Sequence, residues 1–341
     1  MTSIARVTRS SLAISCVVLS SAACIEDAQP MADTAQSSVC PIDECGGNAA
    51  SVGHLRIGEI HIDGDTNTGQ VNNWGVWLDG FHAPDGQTGY HIEVRRGAFI
   101  ASNGVDTLRG QQLIGSSFFF TDLGGVTVRV EIMDVDNHDT WTEQGYAIRR
   151  YKLGMFRAAT NTYSPICQDA VDLDDEDAWA VLVSDERYSW ASKMVDITGA
   201  AAEDWFNIAC RGNALYKMKF MGYDPEPPNV GPYATTPTQR QATLKMLTAD
   251  YCGTGKSFTE DDQPLSWQNK DGWSYNVDVD SVPSEAVWDA QGARCLGTPR
   301  LGPEKTQEII AECQSANVVL PPCSGGEGAQ AVWSTWVATD S

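Results

Sequence analysis

Cysteine placement constrains this chain most. Ten cysteines occur in 341 residues. Cys16 falls in a short N-terminal leader and Cys24 follows that leader directly. The other eight are Cys40, Cys45, Cys167, Cys210, Cys252, Cys295, Cys313 and Cys323. The leader has the pattern of an export signal, with Arg6 and Arg9, an apolar run from Ser11 to Leu19, and the small residues Ser21-Ala22-Ala23. Such a run is shorter than the roughly 18 to 20 residues that span a bilayer, so residues 1–23 read as a cleaved signal peptide. No later stretch is long and apolar enough to span. An even cysteine count in an exported chain predicts a disulfide framework, because compartments outside the cytosol favour oxidation.

Cys24 behind small residues is the arrangement of a bacterial lipoprotein and makes Cys24 the candidate lipid anchor. Ser21 stands where such signals usually carry Leu, Val or Ile, so ordinary secretion is the alternative. The expected location is the cell envelope, as an outer-membrane lipoprotein or a secreted protein, with membrane contact only through the lipid. Hydrophobic residues at 42% and charged residues at 20% are those of a globular chain. Acidic residues number 45 against 23 basic, a formal charge of −22. That balance excludes sequence-independent nucleic-acid binding, which needs Lys and Arg to displace counterions from phosphates.

Residues 24–53 are poor in large apolar groups and read as a polar tether, with Cys40 and Cys45 at its far end. Residues 54–160 are β-rich. Leu55 to Ile62 and Val126 to Ile132 alternate with period two, Tyr146 to Tyr151 does so more loosely, and Asp122 to Gly125 reads as a turn. Helical signals lie in the second half. Ala209 to Gly222 spaces Ala214, Leu215, Met218 and Met221 along one face. Thr236-Pro237 opens a second helix as N-cap and first position, and Pro303 opens a third carrying Ile309, Ile310 and Cys313. The expected fold is mainly β or α+β, antiparallel in its N-terminal half, with a helical hairpin in its C-terminal half.

Ala249-Asp250-Tyr251-Cys252-Gly253 carries a resemblance. Together with Phe206-Asn207-Ile208-Ala209-Cys210-Arg211, Gly222-Tyr223 and Gly292-Ala293-Arg294-Cys295-Leu296, it is similar to the ADYC-domain family of exported bacterial proteins. The likeness sets residues 161–302 as the domain core and 303–341 as a C-terminal helix and tail. It implies no established activity. Relatives of that kind carry a further Cys near the end of the first helix and another within the second. Met218 and Thr243 stand there instead, as if a structural pair had been lost together. With the helices antiparallel, this resemblance implies a Cys210–Cys252 bridge closing the hairpin, worth about 2–4 kcal/mol. Of the 105 possible pairings, the favoured set adds Cys40–Cys45 and Cys313–Cys323 by proximity in sequence, and Cys167–Cys295 by elimination.

Other constellations are weaker. Cys252 could be a nucleophile, but all five histidines lie in the N-terminal half, and a thiolate needs a base or cation beside it, so the disulfide reading is preferred. Gly253 to Ser257 ends in Gly-Lys-Ser, yet a phosphate loop needs glycine where Asp250 stands, so it reads as a glycine turn. Asp63, Asp65 and Asn67 space oxygen ligands as a calcium loop does, but Thr68 replaces the required glycine and Trp74 the closing glutamate. A looser calcium site at these three residues is the one cofactor considered; otherwise none is expected. Asp172 to Asp177 reads as a solvated acidic loop, and His54 and His61 face opposite sides of a strand. No His-Glu-x-x-His or Gly-x-Ser-x-Gly run occurs.

Eleven tryptophans are many for this length, and Trp74, Trp77, Trp267 and Trp273 fall among Gly, Asp and Asn, where an exposed ring could stack on a sugar or a protein. The expected function is thus a non-catalytic binding module for an envelope or extracellular partner, polysaccharide or protein. The alternative is an extracellular hydrolase using carboxylates of the β-rich half.

Overall fold

A computed structural model describes residues 50–63, 70–141, 146–190, 192–196, 204–225, 235–260, 263, 265–271, 274–275, 284–324 and 331–337. The leader, Cys24, the Cys40–Cys45 pair, Asp65, Asn67 and Trp273 lie outside the described residues.

The Leu55–Ile62 run is not one strand. It divides into β2 (Leu55–Arg56), which pairs with β1 (Ser51–Val52), and β3 (Glu59–His61), which joins another sheet. β4 (Val76–His82) follows. β5 (His91–Arg95), β6 (Ala98–Ser102) and β7 (Thr107–Arg109) make a three-stranded sheet. β8 (Ser117–Asp122) turns through Asp122–Gly125, as expected, into β9 (Thr127–Asp139), then β10 (Ala147–Arg157) and β11 (Thr162–Pro165). β12 (Trp179–Ser184) and β15 (Trp205–Cys210) complete the principal sheet, with the ribbon β13 (Arg187–Ser189) and β14 (Met194–Asp196) between them in sequence.

That sheet is antiparallel throughout and runs β3-β15-β12-β10-β9-β8-β4, with β11 beside β10. It nearly closes on itself. Asn72, just before β4, donates from Nδ2 to the carbonyls of Arg56 (2.7 Å) and Glu59 (3.1 Å), tying the two end strands together. Ile60, Val76, Leu78, Phe118, Phe120, Val130, Ile132, Tyr151, Leu153 and Leu182 line the inside, and Phe99 of the three-stranded sheet packs among them. A register shift at Lys152/Leu153 in the β9–β10 ladder is a β-bulge. It moves the inward phase of β9 from Val130 and Ile132 to Val135.

β12 and β15 have all six residues buried. Ala180 and Leu182 face the barrel interior, while Val181 and Val183 face a second core under the helices. Burial on both faces yields a continuous apolar run instead of alternation. It also corrects the expected helix over Ala209–Gly222: the chain is still strand to Cys210, and α1 (Ala214–Phe220) starts only after Asn213, whose side chain caps Leu215 N–H at 2.8 Å. α2 (Pro237–Thr248) opens as predicted, with Thr236 and Gln239 forming a capping box and Pro237 at the first position. The five-stranded sheet β17 (Ser274–Tyr275), β16 (Leu265–Asn269), β20 (Trp333–Val337), β18 (Ser284–Asp289), β19 (Gly292–Leu296) closes the second core. α3 (Thr306–Ser315) follows a single 3-10 turn at Pro303–Lys305.

Among the described residues the disulfides are Cys167–Cys210, Cys252–Cys313 and Cys295–Cys323. Six of the predicted cysteines are bridged, but the Cys210–Cys252, Cys167–Cys295 and Cys313–Cys323 pairings are wrong. Cys210 ends a sheet strand rather than opening a helix, so it meets Cys167 beyond β11, while Cys252 faces α3 and pairs with Cys313. The α1–α2 hairpin carries no bridge of its own. Met218 and Thr243 are both fully buried.

Candidate functional site

Each residue of the Ala249–Cys252 run holds the second core together. Ala249 adopts the left-handed conformation (φ 49°) that ends α2. Asp250 is fully buried, and its Oδ2 accepts from Lys245 Nζ at 2.5 Å and from the Gly255 N–H at 2.9 Å. Tyr251 donates its hydroxyl to Glu285 Oε1 at 2.6 Å, and Arg300 bonds both oxygens of the same carboxylate, at 2.6 and 3.1 Å. Burial drives the Tyr251 phenol up, so it stays a neutral donor. Cys252 is consumed by its bridge to Cys313. The Gly253–Ser257 turn docks on α3 through Thr254–Glu312 and Lys256–Glu308. This constellation crosslinks the second core, with Asp250, Tyr251 and Cys252 all buried.

Solvent reaches the protein differently at a cleft of about 330 Å³ where the turns after β12 and before β15 meet β5. Its walls carry His91, Glu93, Arg95, Asp185, Asp204 and Trp205. β5 alternates, burying Ile92 and Val94 in the barrel, so His91, Glu93 and Arg95 point away from it. Asp185 and Asp204 are both left-handed non-glycine residues (φ 58° and 65°), joined across the sheet end by Asp185 N–H to the Trp205 carbonyl and Ile62 N–H to the Asp204 carbonyl. Side chains without branching at Cβ and with a short polar group tolerate that conformation best. Arg187 lies 4.1 Å over the Trp205 ring while Glu59, fully buried, holds its guanidinium at 3.2 Å. His61 meets the same indole edge-on at 5.3 Å. Burial lowers the His61 proton affinity, with Asp204 and Asp63 pulling it back up.

The residues singled out from sequence do not gather here. Asp63 sits exposed in a turn, its N–H donating to His61 Nδ1 at 3.0 Å. The rest of the calcium loop lies outside the described residues, and among those described no cluster of three or more His, Cys, Asp or Glu could hold a metal. Asp172 and Asp175 accept from backbone N–H groups of their own loop. His54 pairs with Asp122 at 3.0 Å. Trp267 is buried, and Trp74 lies half-buried under Arg56. Glu93, Asp185, Asp204 and Trp205 were not found from sequence; only the tertiary closure of the barrel assembles them.

No curated protein and no solved structure matches the chain. Residues 110–302 match the model of the ADYC domain family, which covers more than half of the chain, including β8 to β19 and every residue of the crosslinked run above; the chain belongs to that family.

Proposed function

We propose that the protein is an exported, disulfide-stabilised binding module of the cell envelope, held by a lipid on Cys24 or released, with a polysaccharide or protein partner and no chemistry of its own. The observation that supports this most is the commitment of Asp250, Tyr251 and Cys252 to core partners at no more than 5% exposure. A nucleophile or general acid has to reach its substrate. Three disulfides are what an oxidising compartment outside the cytosol forms. The cleft supplies carboxylates, a guanidinium, an imidazole and an indole around one hollow, which suits a ligand rich in hydroxyl or amino groups.

The hydrolase reading draws on the same cleft, since Glu93, Asp185 and Asp204 bring three carboxylates to one place. Incubation with isolated envelope polysaccharide separates the two: binding predicts retention with no new reducing ends. Release of reducing ends that Asp204→Asn abolishes would overturn the binding reading. Intact-mass measurement of the envelope-extracted protein tests the address through a chain beginning at Cys24 with diacylglycerol, and the framework through a gain of six hydrogens on reduction for the three bridges above, or eight with Cys40–Cys45 also bridged.

A further inference from the structure

β5 brings a bare strand edge to the cleft. Arg96 and Gly97, at φ 52° and 64°, make a two-residue turn between β5 and β6. Such a turn sets its flanking residues, Arg95 and Ala98, as a hydrogen-bonded pair. Pairs then alternate along an antiparallel ladder, so Glu93 and His91 spend their main-chain groups on β6. Ile92 and Val94 turn theirs to the opposite side. The facing strand agrees: Phe99, opposite Val94, donates its N–H away from β5, to the Tyr151 hydroxyl at 2.9 Å. β5 is an edge of the three-stranded sheet, and among the described residues no group bonds the main chain of Ile92 or Val94 on that side.

Ile92 and Val94 both line the cleft, although their side chains are buried in the barrel cluster. What they show the cleft is therefore main chain, an N–H and a C=O at each residue, repeating about every 6.7 Å along the strand. Only another extended peptide carries donors and acceptors at that repeat, so its main chain supplies the bonds and its alternate side chains the selectivity. A polysaccharide can offer hydroxyls to the carboxylates of the cleft, but it has no such repeat.

Charge narrows the choice of peptide. Glu93, Asp185 and Asp204 set three carboxylates in the cleft against the Arg95 guanidinium, which lies 3.3 Å from Glu93. Arg187, over the Trp205 ring, is already held by Glu59. The chain as a whole carries −22, so a second copy is repelled and a cationic segment is attracted.

We propose that the cleft takes an extended, positively charged segment of a partner protein, which adds to β5 as a fourth strand, bonds the main chain of Ile92 and Val94, and sets a Lys or Arg opposite Glu93. Glu93 falls at a non-hydrogen-bonded position of that new ladder, where facing side chains stand closest, with Cβ atoms about 4.5–5.5 Å apart. The inference rests on the binding function proposed above and narrows its partner to a protein.

The test uses the native chain with its disulfides intact and, as probe, a capped octapeptide of alternating Lys and Val, with binding read by fluorescence anisotropy. Amide exchange of the native chain, followed by NMR, should slow by at least about tenfold at Ile92 and Val94 when the probe binds. The same octapeptide with every amide N-methylated keeps its charge but loses its donors, and should not bind. Val94→Pro strips a donor that no ladder within the protein uses and should weaken binding by about tenfold. Glu93→Lys places like charges opposite one another and should weaken it by about threefold. Intact disulfide mass and circular dichroism check both variants; if Val94→Pro fails to fold, the N-methylated probe makes the same test on the native chain. Equal binding of the two probes, or probe binding that leaves Ile92 and Val94 exchange unchanged, overturns strand addition. Retention of isolated envelope polysaccharide with no binding of the octapeptide overturns it too and leaves the binding reading standing in its polysaccharide form. Binding of neither overturns both. Slowed exchange at Ile92 and Val94 on self-association, seen with light scattering, would give the edge to a second copy and overturn the cationic partner.

Discussion

The two cores of this molecule solve the same packing problem with different materials. Inside the barrel the filling is apolar, from Ile60 through Phe118 and Leu153 to Phe206, with the Tyr151 hydroxyl accepting from the Phe99 N–H at 2.9 Å. Beneath the helices the filling is threaded with charge. Lys219 meets Asp224 at 2.6 Å, Lys245 meets Asp250 at 2.5 Å, Arg240 bonds Glu186, and Arg300 bonds Glu285, each partner no more than 6% exposed. Two of these pairs join the last turn of a helix to an aspartate five residues on, Lys219 to Asp224 after α1 and Lys245 to Asp250 after α2. Each lysine also donates to a backbone carbonyl, Leu182 or Ser192, that its sheet or loop leaves open. An apolar core tolerates exchange of one hydrocarbon for another, whereas a buried charge tolerates only its partner. Exchange of one hydrocarbon for another should therefore cost least inside the barrel, and loss of one charge should cost most in the second core.

That contrast breaks most easily at Arg300. Arg300→Met leaves Glu285 buried and unpaired and should cost about 3–5 kcal/mol in denaturant unfolding, while Leu153→Met inside the barrel should cost less than about 1.5 kcal/mol. Similar losses at the two sites would erase the distinction. Replacing Cys252 and Cys313 together by alanine should remove about 2–5 kcal/mol, read as a lower midpoint in urea. Thr243→Val keeps the shape but strips the acceptor of the Trp333 indole N–H, now at 2.8 Å, and should cost about 1–3 kcal/mol.

The smallest effect is a slope with pH. Burial holds the Lys193 ammonium below its ordinary 10.5, with Lys245 pushing the same way and Asp250 opposing. The unfolded chain then binds more protons than the folded one across the alkaline window up to 10.5. Stability should rise with pH through that window and fall as pH drops toward the depressed value. Lys193→Met should flatten the rise, measured as melting temperature against pH, and an unchanged slope would remove Lys193 as its source.

Much of the fold was legible where one face of an element meets water. Val126 to Ile132 kept its period because β9 has one solvated face, and Thr236-Pro237 marked α2 because caps are local chemistry. β12 and β15 were hidden by their double burial, and the helix read over Ala209 and Cys210 followed from that. Cysteine pairing was legible only as bonding, because partners are chosen by which strand ends meet in space. Lys219 and Lys245 look like solvent-facing helix residues by composition, and only packing shows them inside. The cleft had no local mark, since its walls come from β5 and from the two ends of an excursion between β12 and β15.

The tail of the chain repays a last look. Leu296 donates to the Pro321 carbonyl at 2.9 Å, Cys323 donates to the Leu296 carbonyl, and Cys295–Cys323 locks the two segments in place. β19 would otherwise end its sheet with bare amide groups, which recruit neighbouring chains into fibres. Two prolines, Pro321 and Pro322, supply carbonyls while offering no N–H of their own, so the cover cannot itself seed a new strand. A protein that works beyond the reach of cytosolic chaperones thus carries its own bolted shutter against self-association.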